Sequence, residues 1–93
     1  MSVSASRGGR YPIAELRMSS YKNTQLVYIP QHVIVDHVKE VLNDIALEAD
    51  DKADRYIRNR IQYSLRILHE YMKALRQIRA SDVLDLEAYP NGM

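Results

Sequence analysis

Between Pro30 and Pro90 the chain carries neither proline nor glycine, and apolar side chains recur through that stretch at helical spacing. Ile34, Val38, Val41, Leu42, Ile45 and Ala49 make one stripe, which predicts a first helix from about Pro30 to Ala49. Ile57, Ile61, Leu65, Leu68, Met72, Leu75 and Ile78 make a second, which predicts a helix from about Lys52 to Ala80. The acidic stretch EADDKAD joins them, with Asp50 or Asp51 placed to cap the second helix. The alternative is one continuous helix of about 50 residues, roughly 75 Å long, which would need a coiled-coil partner. The hairpin is the preferred reading.

The ends are less regular. Residues 1–10 read as a flexible basic tail, and residues 11–93 as a single helical domain. Tyr11 to Tyr21 suits a short helix with Pro12 in its first turn, where proline costs nothing, and with Ile13 and Leu16 on one face. The stretch YKNTQLVYI reads as extended. Ser81 is placed to cap a last short helix, SDVLDLEAY, stopped by Pro90 and Gly92. The expected fold is all-α: a long antiparallel helix pair with a short N-terminal helix and a C-terminal cap segment.

Composition narrows this only slightly. Ninety-three residues make one modest core. Without cysteine there is neither a disulfide nor a thiolate metal site. No apolar run approaches the roughly 20 residues of a membrane span, and no hydrophobic stretch follows the first positive charges as in a secretory signal. A cytoplasmic location with no membrane partner is expected. Seven tyrosines stand beside no phenylalanine and no tryptophan. Tyrosine buries a ring while its hydroxyl wants water or a partner, so it suits interfaces; chance composition in a short chain explains the count equally well.

Charge changes the picture more. The net charge is +1, yet residues 1–30 carry +3, residues 31–54 −5, residues 55–80 +6 and residues 81–93 −3. Opposed blocks of this kind suit segments that neutralise one another, inside the chain or across an interface. On a helical wheel the apolar arc of the second helix covers about half the circumference, because Tyr56, Tyr63, Ile67, Tyr71 and Ala74 flank the main stripe. One neighbouring helix covers about a third. The excess marks Tyr56, Tyr63, Ile67 and Tyr71 as a candidate partner interface. The remaining arc carries a basic stripe of Arg55, Arg58, Arg66, Lys73 and Arg76, with Gln62 and His69 among them. On the first helix Asp36, Glu40, Asp44 and Glu48 would form an acidic ridge, and like charges at that spacing oppose a helix by about 0.2–0.5 kcal/mol per pair. Either the ridge is a solvated face carried by the core, or it answers a cationic partner.

Five cations along a helix can contact phosphates, but an acidic ridge of similar length would repel them. A sequence pI of about 8.0 is also low for a dedicated binder this small. Catalytic chemistry is not indicated. His32 and His37 are five residues apart and share no helix face; His37 with Asp36 and Glu40 reads as a surface histidine among acids rather than a metal site. Gly8 and Gly9 make no phosphate loop, and no nucleophile has a base and an orienter. Neither a cofactor nor a metal is expected, and the chain reads as not an enzyme.

Two resemblances bear on function. Leu26, Ile29 and Pro30 before the first helix resemble the helical domain of GINS subunits, the non-catalytic parts of the replicative helicase assembly. So do Glu70, Met72, Ile78, Arg79, Val83, Leu84, Asp85 and Leu86 near the other end. The likeness spans most of residues 22–87 and implies a helical, assembly-forming protein associated with DNA replication. The chain departs from that family at His32-Val33-Ile34, where an acidic-aromatic cluster is usual, and has no room for the accompanying β domain. Separately, KNTQLVYIP followed by a helix is similar to the opening of ribbon-helix-helix repressors, whose strands read the major groove. On that likeness Thr24 or Gln25, Val27 and Ile29 would face the groove, a set poor in polar readers.

The expected function is therefore a non-catalytic structural or adaptor subunit of a multi-protein assembly acting on DNA, with a protein partner or homo-oligomer implied. The alternative is a small homodimeric nucleic-acid-binding protein in which the basic stripe, with Arg7, Arg10, Arg17 and Lys22, touches phosphates.

Overall fold

The structure is a computed structural model that describes residues 1–20 and 25–91. The element order is β1 (Ser2–Val3), α1 (Arg10–Ser19), β2 (Ile34–Val35), α2 (Asp44–Glu48) and α3 (Lys52–Ala80). The strands pair in parallel, Ser2 opposite Ile34 and Val3 opposite Val35. This corrects the all-α expectation of a long antiparallel helix pair: one long helix stands on a small mixed head.

The second expected helix forms with the bounds its spacing predicts. Asp51 caps it, its carboxylate accepting hydrogen bonds from the backbone N–H groups of Ala53 and Asp54 at 2.9 and 3.0 Å. The first does not form over 30–43. Val33, Ile34 and Val35 are β-branched, lose side-chain freedom in a helix and pack well on a pleated surface. Val33 and Val35 alternate inward and are buried. The backbone then turns at His37 (φ 52°) and Leu42 (φ 59°), both in the left-handed region that no helix accommodates. Helix resumes only at α2, where the side chain of Asn43 accepts from the Ala46 N–H at 2.8 Å.

The N-terminal stretch expected as a flexible tail is built into the head. The N–H groups of Ser2 and Ser4 donate to the carbonyls of Val33 and Val35 at 2.9 Å each, and those of Val38 and His37 donate back to Ser4 and Ser6. Asp36 secures the junction: one carboxylate oxygen accepts from Ser4 Oγ at 2.9 Å and from the Gly9 N–H at 3.2 Å. Gly9 fits because it has no side chain; a Cβ there would lie 2.8 Å from Ile34 Cγ2 and 2.9 Å from Asp36 Oδ1.

Helix α1 starts one residue before the expected Tyr11 and ends at Ser19. Tyr21, Lys22, Asn23 and Thr24, part of the expected extended segment, lie outside the described residues, as does Gly92. Residues 25–29 are irregular, and the expected C-terminal helix over 81–89 is a series of turns, with Asp82 at φ 55°. The core is small: Val33, Val35, Val41 and Ile57, with Val38, Leu42 and Ile61 packed against it.

Candidate interaction surface

Helix α3 is about 44 Å long at 1.5 Å per residue, and the molecule measures 54 × 25 × 17 Å. The thinnest dimension leaves little beyond one helix with its side chains, which needs about 10–12 Å. The core accordingly takes only one side of the first half of α3. Ile57 and Ser64 are buried there, and Arg60, Ile61 and Ile67 half-buried. The rest of the apolar arc is open on two flanks. One carries Tyr56, 68% exposed, and Tyr63. The other carries Leu65 and Met72, 58% and 59% exposed, with Leu68 beside them.

The four residues expected at a partner interface divide accordingly. Tyr56 and Tyr63 are exposed, Tyr71 is just exposed and Ile67 half-buried. Tyr63, Ile67 and Tyr71, with Arg66 and Glu70 on the rim, line a shallow groove of about 310 Å³. The Arg60 guanidinium lies 5.7 Å from the Tyr63 ring centre, a cation–π contact on the same flank. The second flank, Leu65, Leu68 and Met72, belonged in the sequence to the main stripe and was expected to pack on the first helix. That helix forms only over Asp44–Glu48, so this part of the stripe is bare.

The basic stripe is in place along α3, but much of its charge is already answered. Arg55 pairs with Asp50 at 2.7 Å and Lys73 with Glu70 at 2.7 Å. Arg58 donates through Nε to Asp54 at 2.6 Å and reaches the Asn43 carbonyl. Arg66 and Arg76 have no ion-pair partner among the described residues. The Asp54–Arg58 pair is structural. Asp54 is only 2% exposed, and its other carboxylate oxygen accepts from the Leu42 N–H at 2.6 Å, fixing the left-handed turn to the helix. The hydrogen bond from Arg58 holds the Asp54 carboxyl below its ordinary 3.8, with the Leu42 N–H adding to it against the opposing effect of burial. Glu70 is lowered in the same way by its bond to Lys73, on an exposed face.

The acidic ridge does not exist as a surface, because the helix that would carry it does not. Asp36 follows β2 and holds the head together, and Glu40 lies in a turn 4.0 Å from His37. Asp44 opens α2 and Glu48 ends it. Among the described residues no group of three or more potential ligands is placed to hold a metal, and no helix is long and apolar enough to cross a membrane. Arg17, one of the cations expected to reach phosphates, donates instead to the Ile29 carbonyl at 2.8 Å and stacks over Tyr28.

No family model matches the chain, and neither does any curated protein or solved structure. The long first helix that entered the resemblance to GINS subunits is not present in the fold.

Proposed function

We propose that this chain is a non-catalytic, cytoplasmic structural or adaptor subunit of a multi-protein assembly, and that α3 is its docking element. The observation that carries this reading is the exposure of large apolar side chains on both flanks of one helix: Tyr56 and Tyr63 on one, Leu65 and Met72 on the other. Single exposed apolar residues are ordinary, but a contiguous run along a helix is the usual mark of an interaction surface. An association with DNA replication or processing rests on the resemblance to GINS subunits alone.

The competing reading is direct nucleic-acid binding by the basic stripe. Three of its five cations are paired within the chain, and a neutralised cation releases fewer counterions on binding phosphate. Photo-crosslinking from Tyr63 and Leu68 positions in the native host tests the proposal. Crosslinks to protein are expected. Labels that capture no protein, together with duplex binding that falls steeply between about 50 and 200 mM salt, would replace it with the nucleic-acid reading.

A further inference from the structure

Strand β2 is paired along one edge only. The Ser2 N–H donates to the Val33 carbonyl and the Ser4 N–H to that of Val35. In a ladder, successive residues turn their N–H and C=O groups to opposite edges. Val33 and Val35 therefore spend theirs on the N-terminal strand, and His32, Ile34 and Asp36 present theirs to the far edge. Among the described residues, the backbone N–H and C=O groups of these three make no hydrogen bond. Exposed edges are usually blunted by lysine, by proline or by being short. Gln31 to Asp36 contain neither residue, so only shortness blunts this edge. A two-stranded sheet is also marginal, and a third strand is the usual remedy.

A groove of about 610 Å³ runs beside β2, with Ile34, Val35 and Asp36 on one side and Lys52 and Tyr56 of α3 on the other. No residue of β1 lines it, so it follows the open edge. Val41 and Ile57 reach it from the core. Deepening the docking role of α3, on which it rests, we propose that this groove takes an extended, apolar segment of a partner protein, added to β2 as a third strand. A helix is the wrong occupant, because it bonds its own N–H and C=O groups internally and leaves those of β2 unanswered. A strand lies about 4.8 Å from its neighbour and turns alternate side chains to opposite faces. Its backbone meets Ile34, and one apolar side chain covers Val41, Ile57 and the open Tyr56 ring. The charges on the walls are spent or opposed. Asp36 accepts from Ser4 and Gly9, Asp51 accepts from the N–H groups of Ala53 and Asp54, and Lys52 stands beside them. The complement is therefore a segment with an uncharged centre. The edge is also set inside a concavity, and a second copy would bring the same concave edge to it.

A phage-displayed library of random linear nonapeptides, panned on the whole chain, supplies the probe. Selected peptides should have apolar centres and bind at micromolar concentration. Methylating their backbone nitrogens one at a time should weaken binding at every second position, by about tenfold for one lost main-chain hydrogen bond. In the complex the Ile34 amide should exchange with deuterium at least about tenfold more slowly, while amides of α3 beyond Ser64 are unchanged. Ile34→Pro removes the outward N–H and no bond to β1, and should weaken binding about tenfold. Tyr56→Ala, at a position 68% exposed, should weaken it while leaving the fold intact. Peptides whose methylation pattern follows a helical period, or that leave the Ile34 amide unprotected, overturn the proposal, as does a library that yields no binder. An Ile34 amide that becomes protected in the free chain as its concentration rises puts a second copy on the edge and overturns it too. The docking role of α3 fails separately, through Tyr63 and Leu68 labels that capture no protein.

Discussion

The two halves of α3 share one amphipathic pattern and sit in opposite environments. From Lys52 to about Ser64 the helix is fastened: its cap is made by Asp51, Asp54 ties it to the turn at Leu42, and Ile57 completes the core. Beyond Ser64 it runs on for sixteen residues that include no buried side chain. Both halves are amphipathic, so amphipathicity alone does not say whether the covering element lies in the same chain. Tertiary packing supplies most of a helix's stability in water. The second half therefore draws its stability from continuity with the first half and, on the proposal made here, from a partner.

The sharpest way to break this contrast is in the fastened half. Ile57→Ala should cost about 3 kcal/mol in urea unfolding, the usual penalty for a truncated core isoleucine. In a domain this small that is a large share of the total stability. A cost below about 1 kcal/mol would mean that the head has no real core. Gly9→Ala forces a methyl against Ile34 and Asp36 and should cost about 2 kcal/mol by overpacking. Circular dichroism should show the loss in thermal midpoint, with α3 still helical at low temperature. Replacing the cap, Asn43→Ala or Asp51→Ala, should cost about 1 kcal/mol each.

Acid provides a fourth test. The folded Asp54 carboxyl titrates below its ordinary 3.8. Its contribution to stability is thus fully present above that value and is lost as pH falls through the lower, folded one. Stability of the head should fall below about pH 4, and Asp54→Asn should flatten that dependence while lowering stability at neutral pH. Acid loss unchanged in Asp54→Asn would show that other carboxylates govern it. The smallest effect belongs to the bare half: Leu65→Ala, measured in dilute solution, should change unfolding by no more than about 0.5 kcal/mol. A larger loss would show that its own chain covers that flank.

How far the sequence revealed this fold depends on where the information lay. Helix α3 was legible to the residue, because a long apolar periodicity and an aspartate cap are local signals. The segment 30–43 was not, because Ile34, Val38 and Val41 satisfy helical spacing while Val33, Ile34 and Val35 form a β-branched run. Long-range pairing decided between them, and the pairing strand, Ser2–Val3, sits in a stretch of small polar residues that reads as a tail. Left-handed turns at His37 and Leu42 had no signal, since neither is the glycine or asparagine that usually marks one. The candidate surface was half legible. The sequence marks the tyrosines of α3 as partner-facing, and Tyr56 and Tyr63 are exposed; it places Leu65, Leu68 and Met72 in the main stripe, and these are exposed as well. The Asp54–Arg58 pair is readable from its i, i+4 spacing, whereas the sequence reading gives the stripe's counter-charge to the acidic ridge or a partner surface rather than to Asp50, Asp54 and Glu70.

The parallel pairing of β1 with β2 also orders events in time. Ser2 must find Ile34, thirty-two positions away, and closing such a loop costs entropy before any strand contact repays it. Helix α3 needs only neighbours within a turn and forms on the microsecond scale or faster. On refolding of the whole chain, the greasy rod therefore samples its helix while the head that fastens it is still open.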